Sequence, residues 1–479
     1  MSANGNTSSA TTGSLLDSCE IAVVGGGVVG CALARRLTLE GADVVLLEKA
    51  PDILDGASKA NSAILHTGFD APPGSLEHAL MVRGREEYLA VHESLNLPLL
   101  RTGALVAAWT EEEAARLEDI LERAHGNGTE DARLLTASQA REIEPGLAEG
   151  LVAAVHVPGE YLVDPWSAPL AYLLQAMANG ARVWTNAAVT GGEYDGDGWL
   201  LHTPKGMVRA GHVVNCAGLY GDVLEEALLG EAGFVIRPRK GQFVVFDKAA
   251  SRHLKTIILP VPTERTKGIV VCPTIFGNVL VGPTAEDQES RDSAPVDEET
   301  LRALVHHAAQ VVPALRDMPV TAVYAGLRPA TERKEYRLRH RPERHWTTVG
   351  GIRSTGLTAA LGIAAHVAEL LAESGHPFRP LKNPRTPQVP NLAQHRPRDW
   401  TRPGYGEIVC HCELVTRREI EAALESPLPP GSMAGLKRRT RATMGRCQGF
   451  YCSARLAELT EGRFETGLAA GKATGKGHE

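Results

Sequence analysis

The stretch that decides the fold spans residues 21–49 and reads IAVVGGGVVGCALARRLTLEGADVVLLEK. Its apolar run at 21–24 predicts a strand, the helical spacing of apolar residues over 28–39 predicts a helix that ends before Gly41, and 44–47 predicts a second strand. A strand, a helix and a strand within about thirty residues form a βαβ unit. The stretch therefore predicts parallel strands at the centre of an α/β fold.

The turn between the first strand and the helix carries the pattern G-x-G-x-x-G at Gly25, Gly27 and Gly30. The first glycine permits a tight turn, the second lets a diphosphate approach the backbone, and the third lets helix and strand pack closely. Glu48 ends the second strand, 18 residues after Gly30, where a carboxylate accepts hydrogen bonds from ribose hydroxyls and repels a 2′-phosphate. The pattern predicts a dinucleotide site, disfavours NADP, and leaves FAD and NAD open.

A loop of small residues follows the βαβ unit, from Ser58 to Gly68. Such a loop suits close approach of the backbone to a cofactor, and it contains His66, which we expect beside the reactive ring. An isolated histidine is, however, more often a surface residue or a satisfied core residue.

Composition limits the functions that fit the chain. A formal net charge of −7 and an aromatic content of 5% give no general attraction for nucleic acid or anionic membranes. The 479 residues suffice for about two to four domains, and we find no apolar run as long as a membrane span. Residues 1–17 are small and polar, unlike a secretory signal, so we expect a disordered tail on a cytoplasmic protein.

Further motifs follow the glycine turn in a fixed order. They are Asn61-Ser62 with His66-Thr67-Gly68, Val163-Asp164-Pro165, Val214-Asn215-Cys216-Ala217-Gly218, Pro238-Arg239-Lys240-Gly241, Gly326-Leu327-Arg328-Pro329, and the stretch from Gly351 to Thr358. In this order residues 20–375 resemble the glycerol-3-phosphate dehydrogenase and D-amino-acid-oxidase-like superfamily of FAD enzymes. The resemblance implies that the dinucleotide is FAD.

The resemblance also implies which residues contact each part of FAD. The ADP half would be held by Gly25, Gly27, Gly30, Glu48 and Lys49, the diphosphate and ribityl chain by Ser58, Asn61, Ser62, Ala217 and Gly218, adenine by the backbone of Val189, and the ribityl chain and flavin by Gly351, Gly356, Leu357 and Thr358.

Three side chains are implied in catalysis. His66 would face the flavin from the substrate side and take a hydroxyl proton while a hydride moves to the flavin. Arg328 would point into the substrate pocket and clamp a carboxylate or phosphate, although a structural ion pair is the alternative. Arg353 stands where anaerobic glycerol-3-phosphate enzymes have a lysine-containing motif; its stretch is more similar to the L-2-hydroxyglutarate dehydrogenase branch, and we expect it to bind an anion.

Four cysteines near the C-terminus form two close pairs. Cys410 and Cys412 are followed after 34 residues by Cys447 and Cys452. In a cytosolic chain such a group indicates a metal rather than disulfides. Structural zinc sites more often use C-x-x-C, and four cysteines also suit a 2Fe–2S cluster, so the spacing leaves the metal open. We expect His411 to lie beside the metal without binding it.

The segments 436–441 (LKRRTR) and 444–449 (MGRCQG) resemble the C-terminal ferredoxin-like domain of the large subunit of anaerobic glycerol-3-phosphate dehydrogenase and bacterioferritin-associated ferredoxin. The resemblance implies a 2Fe–2S cluster, with zinc as the alternative. The same region is locally basic. These charges are typical of a solvated helix face. Alternatively, they form a docking patch for an acidic electron acceptor or offset the negative charge of the cluster. The basic residues are Lys437, Arg438, Arg439, Arg441 and Arg446.

We therefore predict an α/β protein with a Rossmann-type FAD-binding domain, an inserted antiparallel-sheet substrate domain, and a small helical C-terminal iron–sulfur domain. Short apolar runs at 242–246, 256–261, 268–272 and 278–282 predict the inserted sheet. The expected boundaries are 1–17 tail; 18–96, 151–230 and 326–375 FAD-binding domain; 97–150 and 231–325 substrate domain; 376–406 linker, with seven prolines; 407–462 2Fe–2S domain; and 463–479 flexible tail.

The predicted function is an FAD-dependent dehydrogenase of a small anionic hydroxy compound, either glycerol 3-phosphate or a 2-hydroxy acid. Electrons would pass through the 2Fe–2S centre to a partner protein or quinone, with inner-membrane association only through that partner. Two alternatives remain at this stage: an opine or amino-acid dehydrogenase subunit, and a non-catalytic ferredoxin-like adaptor. We expect neither nucleic-acid binding nor a direct membrane span.

Overall fold

The computed structural model describes residues 14–262 and 268–468. Its α-helices are α1 (Val28–Leu39), α2 (Leu76–Val91), α3 (Glu111–Ala114), α4 (Leu117–Gly126), α5 (Ala137–Ile143), α6 (Ser167–Ala178), α7 (Gly221–Leu229), α8 (Glu298–Val311), α9 (Gly356–Glu373), α10 (Arg417–Leu424), α11 (Met433–Thr440) and α12 (Ser453–Leu459). Its strands are β1 (Leu15–Val24), β2 (Val44–Leu47), β3 (Ile64–Leu65), β4 (Leu99–Arg101), β5 (Ala104–Ala108), β6 (Arg133–Thr136), β7 (Ala153–Val157), β8 (Tyr161–Val163), β9 (Arg182–Trp184), β10 (Gly191–Tyr194), β11 (Trp199–Thr203), β12 (Gly206–Asn215), β13 (Ile236–Phe246), β14 (Ile257–Pro260), β15 (Val270–Pro273), β16 (Val279–Gly282), β17 (Glu286–Asp287), β18 (Val320–Thr331), β19 (Arg337–Arg341), β20 (Trp346–Gly350), β21 (Ile408–Cys410) and β22 (Val415–Thr416).

The first sheet contains the predicted βαβ unit. Its order is β10-β11-β12-β1-β2-β9, and β20 pairs with β12 and β19. The strands β20, β12, β1, β2 and β9 run parallel. Every residue of β2 is buried, as expected for a parallel strand covered on both faces. The predicted α/β class and Rossmann-type unit are confirmed.

Strand β1 begins earlier than the sequence predicts. Leu15 pairs with Met207 and Asp17 with Val208 along the ten-residue β12, and the carboxylate of Asp17 accepts a hydrogen bond from the indole of Trp184 at 2.9 Å. The expected disordered tail of residues 1–17 is therefore wrong for Leu15–Asp17, because β12 offers them a partner. Residues 1–13 lie outside the described part of the chain.

The second sheet is the inserted, largely antiparallel one. Its order is β17-β13-β16-β15-β14-β5-β7-β6, with β18 also paired to β13, and β14 and β5 are its parallel pair. The long antiparallel pair β13–β18 places Arg239 directly opposite Arg328. A third sheet, β3-β8-β4, pairs Ile64 with Leu162 and Leu65 with Tyr161. The pairing of β13 with β18 and that of β3 with β8 place Arg239, Arg328 and His66 along one cleft.

Helix α9 is long and apolar enough, by length and composition, to cross a membrane, which differs from the expectation that no apolar run reaches that length. Two thirds of its residues, 67%, are buried inside the protein. It packs on α1 and α2, and the approach to α2 is close because a Cβ on Gly84 or Gly362 would overlap backbone atoms of the other helix. The helix is a core element of the first domain.

The C-terminal residues form a separate small unit. Strands β21 and β22 and helices α10 to α12 enclose an apolar cluster that includes Val409, Ile420, Leu436 and Leu456. The predicted linker before it runs along the body of the protein, where backbone hydrogen bonds join residues 379, 381, 389 and 394 to residues 40, 39, 95 and 275. The domain boundaries themselves stay predictions.

Candidate active site and cluster site

A cleft of about 1070 Å³ lies between the first two sheets. It brings together almost every residue predicted to contact the cofactor or substrate. Those that line it are Gly25, Gly27, Gly30, Glu48, Lys49, Ser58, Asn61, Ser62, His66, Val189, Ala217, Gly218, Arg328, Gly351, Arg353, Gly356 and Leu357.

The glycine turn is shaped as a dinucleotide site requires. Gly25 has a φ of +113°, and a Cβ there would overlap the carbonyl oxygen of Cys216. A Cβ on Gly30 would overlap the carbonyl oxygen of Gly25, so both positions require glycine. At the start of α1 the backbone N–H of Val28 donates to the hydroxyl of Ser58 at 3.0 Å. The first residues of the helix line the cleft, and the N-terminus of a helix attracts phosphate oxygens. The cradle fits the diphosphate of FAD.

Glu48 does more than the sequence predicts. One carboxylate oxygen accepts from the backbone N–H of Gly26 at 2.6 Å, and the other from Ala50 at 2.8 Å. Burial raises the pKa of this carboxyl. Because a carboxylate oxygen has two lone pairs, the group retains acceptors for a ribose while it fixes the glycine turn to the end of β2.

Thr358 is the one predicted cofactor residue that is not among the residues lining the cleft. Its side chain is buried, and its hydroxyl accepts a hydrogen bond from the backbone N–H of His66 at 3.0 Å. Thr358 thus ties the start of α9 to the loop that carries the histidine.

His66 is held by a carboxylate that the sequence did not reveal. The register of β3 against β8 continues to place His66 opposite Glu160, and Nδ1 of His66 lies 2.7 Å from Oε2 of Glu160. The other oxygen of Glu160 accepts from the backbone N–H of Thr67 at 2.6 Å and from its hydroxyl at 2.9 Å. Glu160 is fully buried. A carboxylate that only accepts assigns the proton to Nδ1 and leaves Nε2 as an acceptor.

The signal for Glu160 was present in the sequence but weak. An acidic residue stands between Gly159 and the apolar run Tyr161–Val163, and acidic residues are rarely buried unless paired. Its partner lies 94 residues away in the chain, so only the strand pairing identifies it.

Arg328 is a partly buried cation without an anion. Both of its terminal nitrogens donate to the carbonyl oxygen of Thr284 at 3.2 Å, and none of the described carboxylates forms an ion pair with it. Burial, with Arg239 and Arg353 adding to it, lowers the pKa of Arg328 to about 10. Arg239 is paired with Asp287 at 2.7 Å, whereas Arg353 has no ion pair within residues 14–262 and 268–468. This end of the cleft is electropositive and suited to an anionic group.

The structure brings the four cysteines together as two pairs, all as free thiols. Cys410 contacts Cys452, and Cys412 contacts Cys447. Across the described ranges, no three His, Cys, Asp or Glu side chains gather as one metal ion would require. Two adjacent thiol pairs, one for each iron, fit a binuclear 2Fe–2S centre better than a tetrahedral zinc ion.

The ionisation of these thiols differs within the group. Burial and the neighbouring Cys410 raise the pKa of Cys452 to about 12. Backbone N–H groups, first that of Tyr451, lower the pKa of Cys447. A bound metal centre would deprotonate such ligands outright. His411 is exposed beside them.

Three arginines of the basic run are neither on a solvated face nor in a free docking patch, whereas Arg446 is 69% exposed and pairs with Asp247 at 2.8 Å. The guanidinium of Arg439 forms a bidentate ion pair with Asp52, and only 7% and 2% of these side chains are exposed. Arg438 donates to the carbonyl oxygen of Ile53 at 3.0 Å, and Arg441 donates to Glu413 at 2.7 Å. Arg438 and Arg439 attach the cysteine unit to the first domain, and Arg441 forms an ion pair inside the cysteine unit. Breaking a buried pair such as Arg439–Asp52 costs about 3–5 kcal/mol.

Comparison with known proteins identifies both cofactors. The family model described as FAD dependent oxidoreductase matches residues 20–370, and the model described as BFD-like [2Fe-2S] binding domain matches residues 408–461. The chain belongs to the FAD dependent oxidoreductase family. Its cofactors are FAD and a 2Fe–2S cluster, which confirms the cofactor prediction and decides between the cluster and zinc.

The relatives narrow the class further. The chain is 31% identical to a glycerol 3-phosphate dehydrogenase of Caloramator mitchellensis, over 92% of this chain and 93% of that protein. It is 27% identical to the anaerobic glycerol-3-phosphate dehydrogenase subunit A1 of Haloferax volcanii, over 91% and 82%. The FAD-bound structure of L-alpha-glycerophosphate oxidase from Mycoplasma pneumoniae superposes with a TM-score of 0.73 at 27% identity, covering 78% of this chain and 99% of that one. The predicted resemblance is confirmed.

Proposed function

We propose that this enzyme oxidises a small secondary alcohol that carries an anionic group, with glycerol 3-phosphate the first candidate and a 2-hydroxy acid the second. The observation that carries the proposal is the partly buried guanidinium of Arg328, which forms no ion pair with a described carboxylate and shares a cleft with the His66–Glu160 pair. An anionic substrate supplies the missing counter-charge. The names of the Caloramator and Mycoplasma relatives favour glycerol 3-phosphate.

His66 and Glu160 would act together on the hydroxyl proton. Nε2 of His66 accepts that proton, and Glu160 stabilises the resulting imidazolium through Nδ1–H. Arg328 and Arg353 hold the anionic group and so orient the carbon that is oxidised. When bound, FAD supplies the hydride acceptor, and the 2Fe–2S centre supplies one-electron transfer.

We further infer that the electron acceptor is a protein. Phe450 and Tyr451, in the loop between Cys447 and Cys452, are 81% and 76% exposed and pack edge to face at 5.2 Å. Exposed adjacent aromatic side chains are typical of protein contact sites. Their place next to two cluster ligands suits a partner that takes electrons there.

The test is anaerobic bleaching of the bound flavin across a panel of glycerol 3-phosphate, 2-hydroxy acids, glycerol and amino acids. We expect fast bleaching by one of the anionic hydroxy compounds and none by uncharged glycerol. Bleaching by amino acids alone would replace the proposal with an amine-oxidising dehydrogenase. If no compound reduces the flavin but the flavin still exchanges electrons with a protein partner, the result would favour the non-catalytic adaptor.

A further inference from the structure

Three side chains connect the cofactor cleft to the cysteine unit. They are Trp166, Phe276 and Arg441, and we call them the aromatic bridge. We propose that the aromatic bridge is the route by which electrons leave the flavin site for the 2Fe–2S centre. The proposal rests on the proposed function in one respect, namely that electrons leave through the cysteine unit.

The bridge begins at the cofactor loop. The indole N–H of Trp166 donates to the carbonyl oxygen of Lys59 at 3.1 Å, and Lys59 lines the cleft next to Ser58. The backbone N–H of Trp166 is held in turn by the buried carboxylate of Asp164 at 2.9 Å. The indole is therefore hydrogen-bonded to a residue that lines the cleft, and the backbone that carries it is held by Asp164.

The middle of the bridge is a stacked pair of rings. The centroids of Trp166 and Phe276 are 5.6 Å apart, and the ring planes differ by 13°, which is an offset stack. Phe276 is buried and lies in the turn between β15 and β16. The neighbouring carbonyl oxygen of Ile275 accepts from the backbone of Gln394 at 2.9 Å, so the linker holds this turn in place.

The far end of the bridge belongs to the cysteine unit. The guanidinium carbon of Arg441 lies 4.0 Å from the centroid of Phe276, and Nε of Arg441 donates to Glu413 at 2.7 Å. Glu413 directly follows Cys412 and also pairs with Lys248 at 3.2 Å. Arg441 adopts a φ of +68°, an unusual conformation for a large side chain that its surroundings must enforce. Arg441 is the C-cap of α11, and its backbone N–H donates to the carbonyl oxygen of Lys437.

The route agrees with the electron balance of the reaction. Oxidation of one secondary alcohol to a ketone releases two electrons and two protons. A 2Fe–2S centre accepts one electron at a time, so two transfers follow each oxidation, and a one-electron protein acceptor removes both. The two protons leave to solvent. The aromatic rings are not themselves oxidised. They fill the space between the flavin site and the cysteine unit with packed atoms, and electrons tunnel faster through packed atoms than across an empty gap.

The experiment uses the full holoenzyme and light instead of substrate. A flash in the presence of a sacrificial donor reduces the flavin anaerobically, and reoxidation of the flavin is followed together with the electron paramagnetic resonance signal of the reduced cluster. The variants are Phe276→Leu and Trp166→Leu, which remove a ring, and Trp166→Phe, which keeps one. Phe378→Leu is the matched control, because Phe378 is a partly buried ring of the linker that packs on the core of the first domain outside the bridge. FAD and iron content are measured for every variant.

We expect flavin-to-cluster transfer to slow by about tenfold or more in the two leucine variants, because a ring-sized void removes the packed contacts. Trp166→Phe should restore most of the rate and Phe378→Leu should leave it unchanged, all with full FAD and iron content. Wild-type transfer rates in both leucine variants would overturn the proposal. A slower transfer rate that merely parallels a lower iron content would overturn it as well. If the wild-type protein itself passes no electrons from the flavin to the cluster, the proposed exit fails instead. A wrong substrate assignment affects neither result.

Discussion

Replacing Glu160 with glutamine tests the catalytic pair most directly. The carboxylate accepts three hydrogen bonds, one from His66 and two from Thr67, whereas a glutamine has one acceptor oxygen and one NH₂ donor. If the oxygen stays with the fixed N–H of Thr67, the NH₂ faces Nδ1 of His66. Nδ1 must then accept, the proton moves to Nε2, and the histidine can no longer act as a base.

The size of the effect follows from what is lost. A positioned general base contributes about 100- to 10,000-fold to a rate, so Glu160→Gln should slow flavin reduction by substrate within that range. The opposite orientation of the amide would set two donors against each other at a buried site, which costs about 1–3 kcal/mol. The tautomer change is therefore favoured, and the folded state should lose little stability.

The assay is anaerobic stopped-flow measurement of flavin bleaching, with thermal unfolding and FAD content as controls. Glu144→Gln is the matched control variant, because Glu144 is a buried carboxylate that accepts from the backbone N–H groups of Lys255 and Thr256 at 2.7 and 2.9 Å away from the cleft. The double variant with His66→Gln should be no slower than either single variant, since the two residues act as a unit. Bleaching of Glu160→Gln at the wild-type rate, or fully additive losses in the double variant, would refute the reasoning.

Four further predictions concern the rest of the redox path. Arg328→Met should lower kcat/KM for the anionic substrate by about 10- to 100-fold through loss of a charged hydrogen bond, in steady-state assays with a dye acceptor, and an unchanged value would contradict the anion-clamp role. Gly30→Ala should reduce the ratio of bound FAD to protein, measured by absorbance, because the new Cβ overlaps the carbonyl oxygen of Gly25; full FAD occupancy would argue against the close approach. Cys452→Ser should abolish the 2Fe–2S spectrum and lower iron content while substrate still bleaches the flavin, and an intact cluster would remove Cys452 from the ligand set. Phe450→Ser should slow reduction of the protein acceptor but not of the cluster, measured in the same stopped-flow trace, whereas equal acceptor rates would place the contact elsewhere.

Local periodicity predicted the central elements well. The helix expected over 28–39 and the strand over 44–47 are α1 and β2 as observed, because their apolar spacing is set by residues close in sequence. Strand β19, Arg337–Arg341, was missed because it has few apolar side chains. Arg337 pairs with Glu332 five residues earlier, but Arg341 pairs with Glu231, 110 residues away, and no local pattern shows such a partner.

The same limit applies to the sites. The glycines, cysteines and Arg328 stand in recognisable motifs, but their partners do not. Glu160 needs the pairing of two short strands before it meets His66, and Arg439 meets Asp52 across 387 positions of the chain. For this reason a basic run that suits solvent in the sequence becomes a buried contact in the fold.

The segment 48–55 has a consequence for assembly. Glu48 at its start fixes the glycine turn, and the carboxylate of Asp52 binds Arg439. Between them, Pro51 packs so closely on Gly431 that a Cβ there would overlap the carbonyl oxygen of Pro51. A few consecutive residues thus contribute both to the nucleotide pocket and to the interface that holds the iron–sulfur unit. Ordering by one cofactor lowers the entropic cost of ordering by the other, and this linkage is reciprocal. Cells that are short of flavin should therefore accumulate a chain whose cluster is also easily lost.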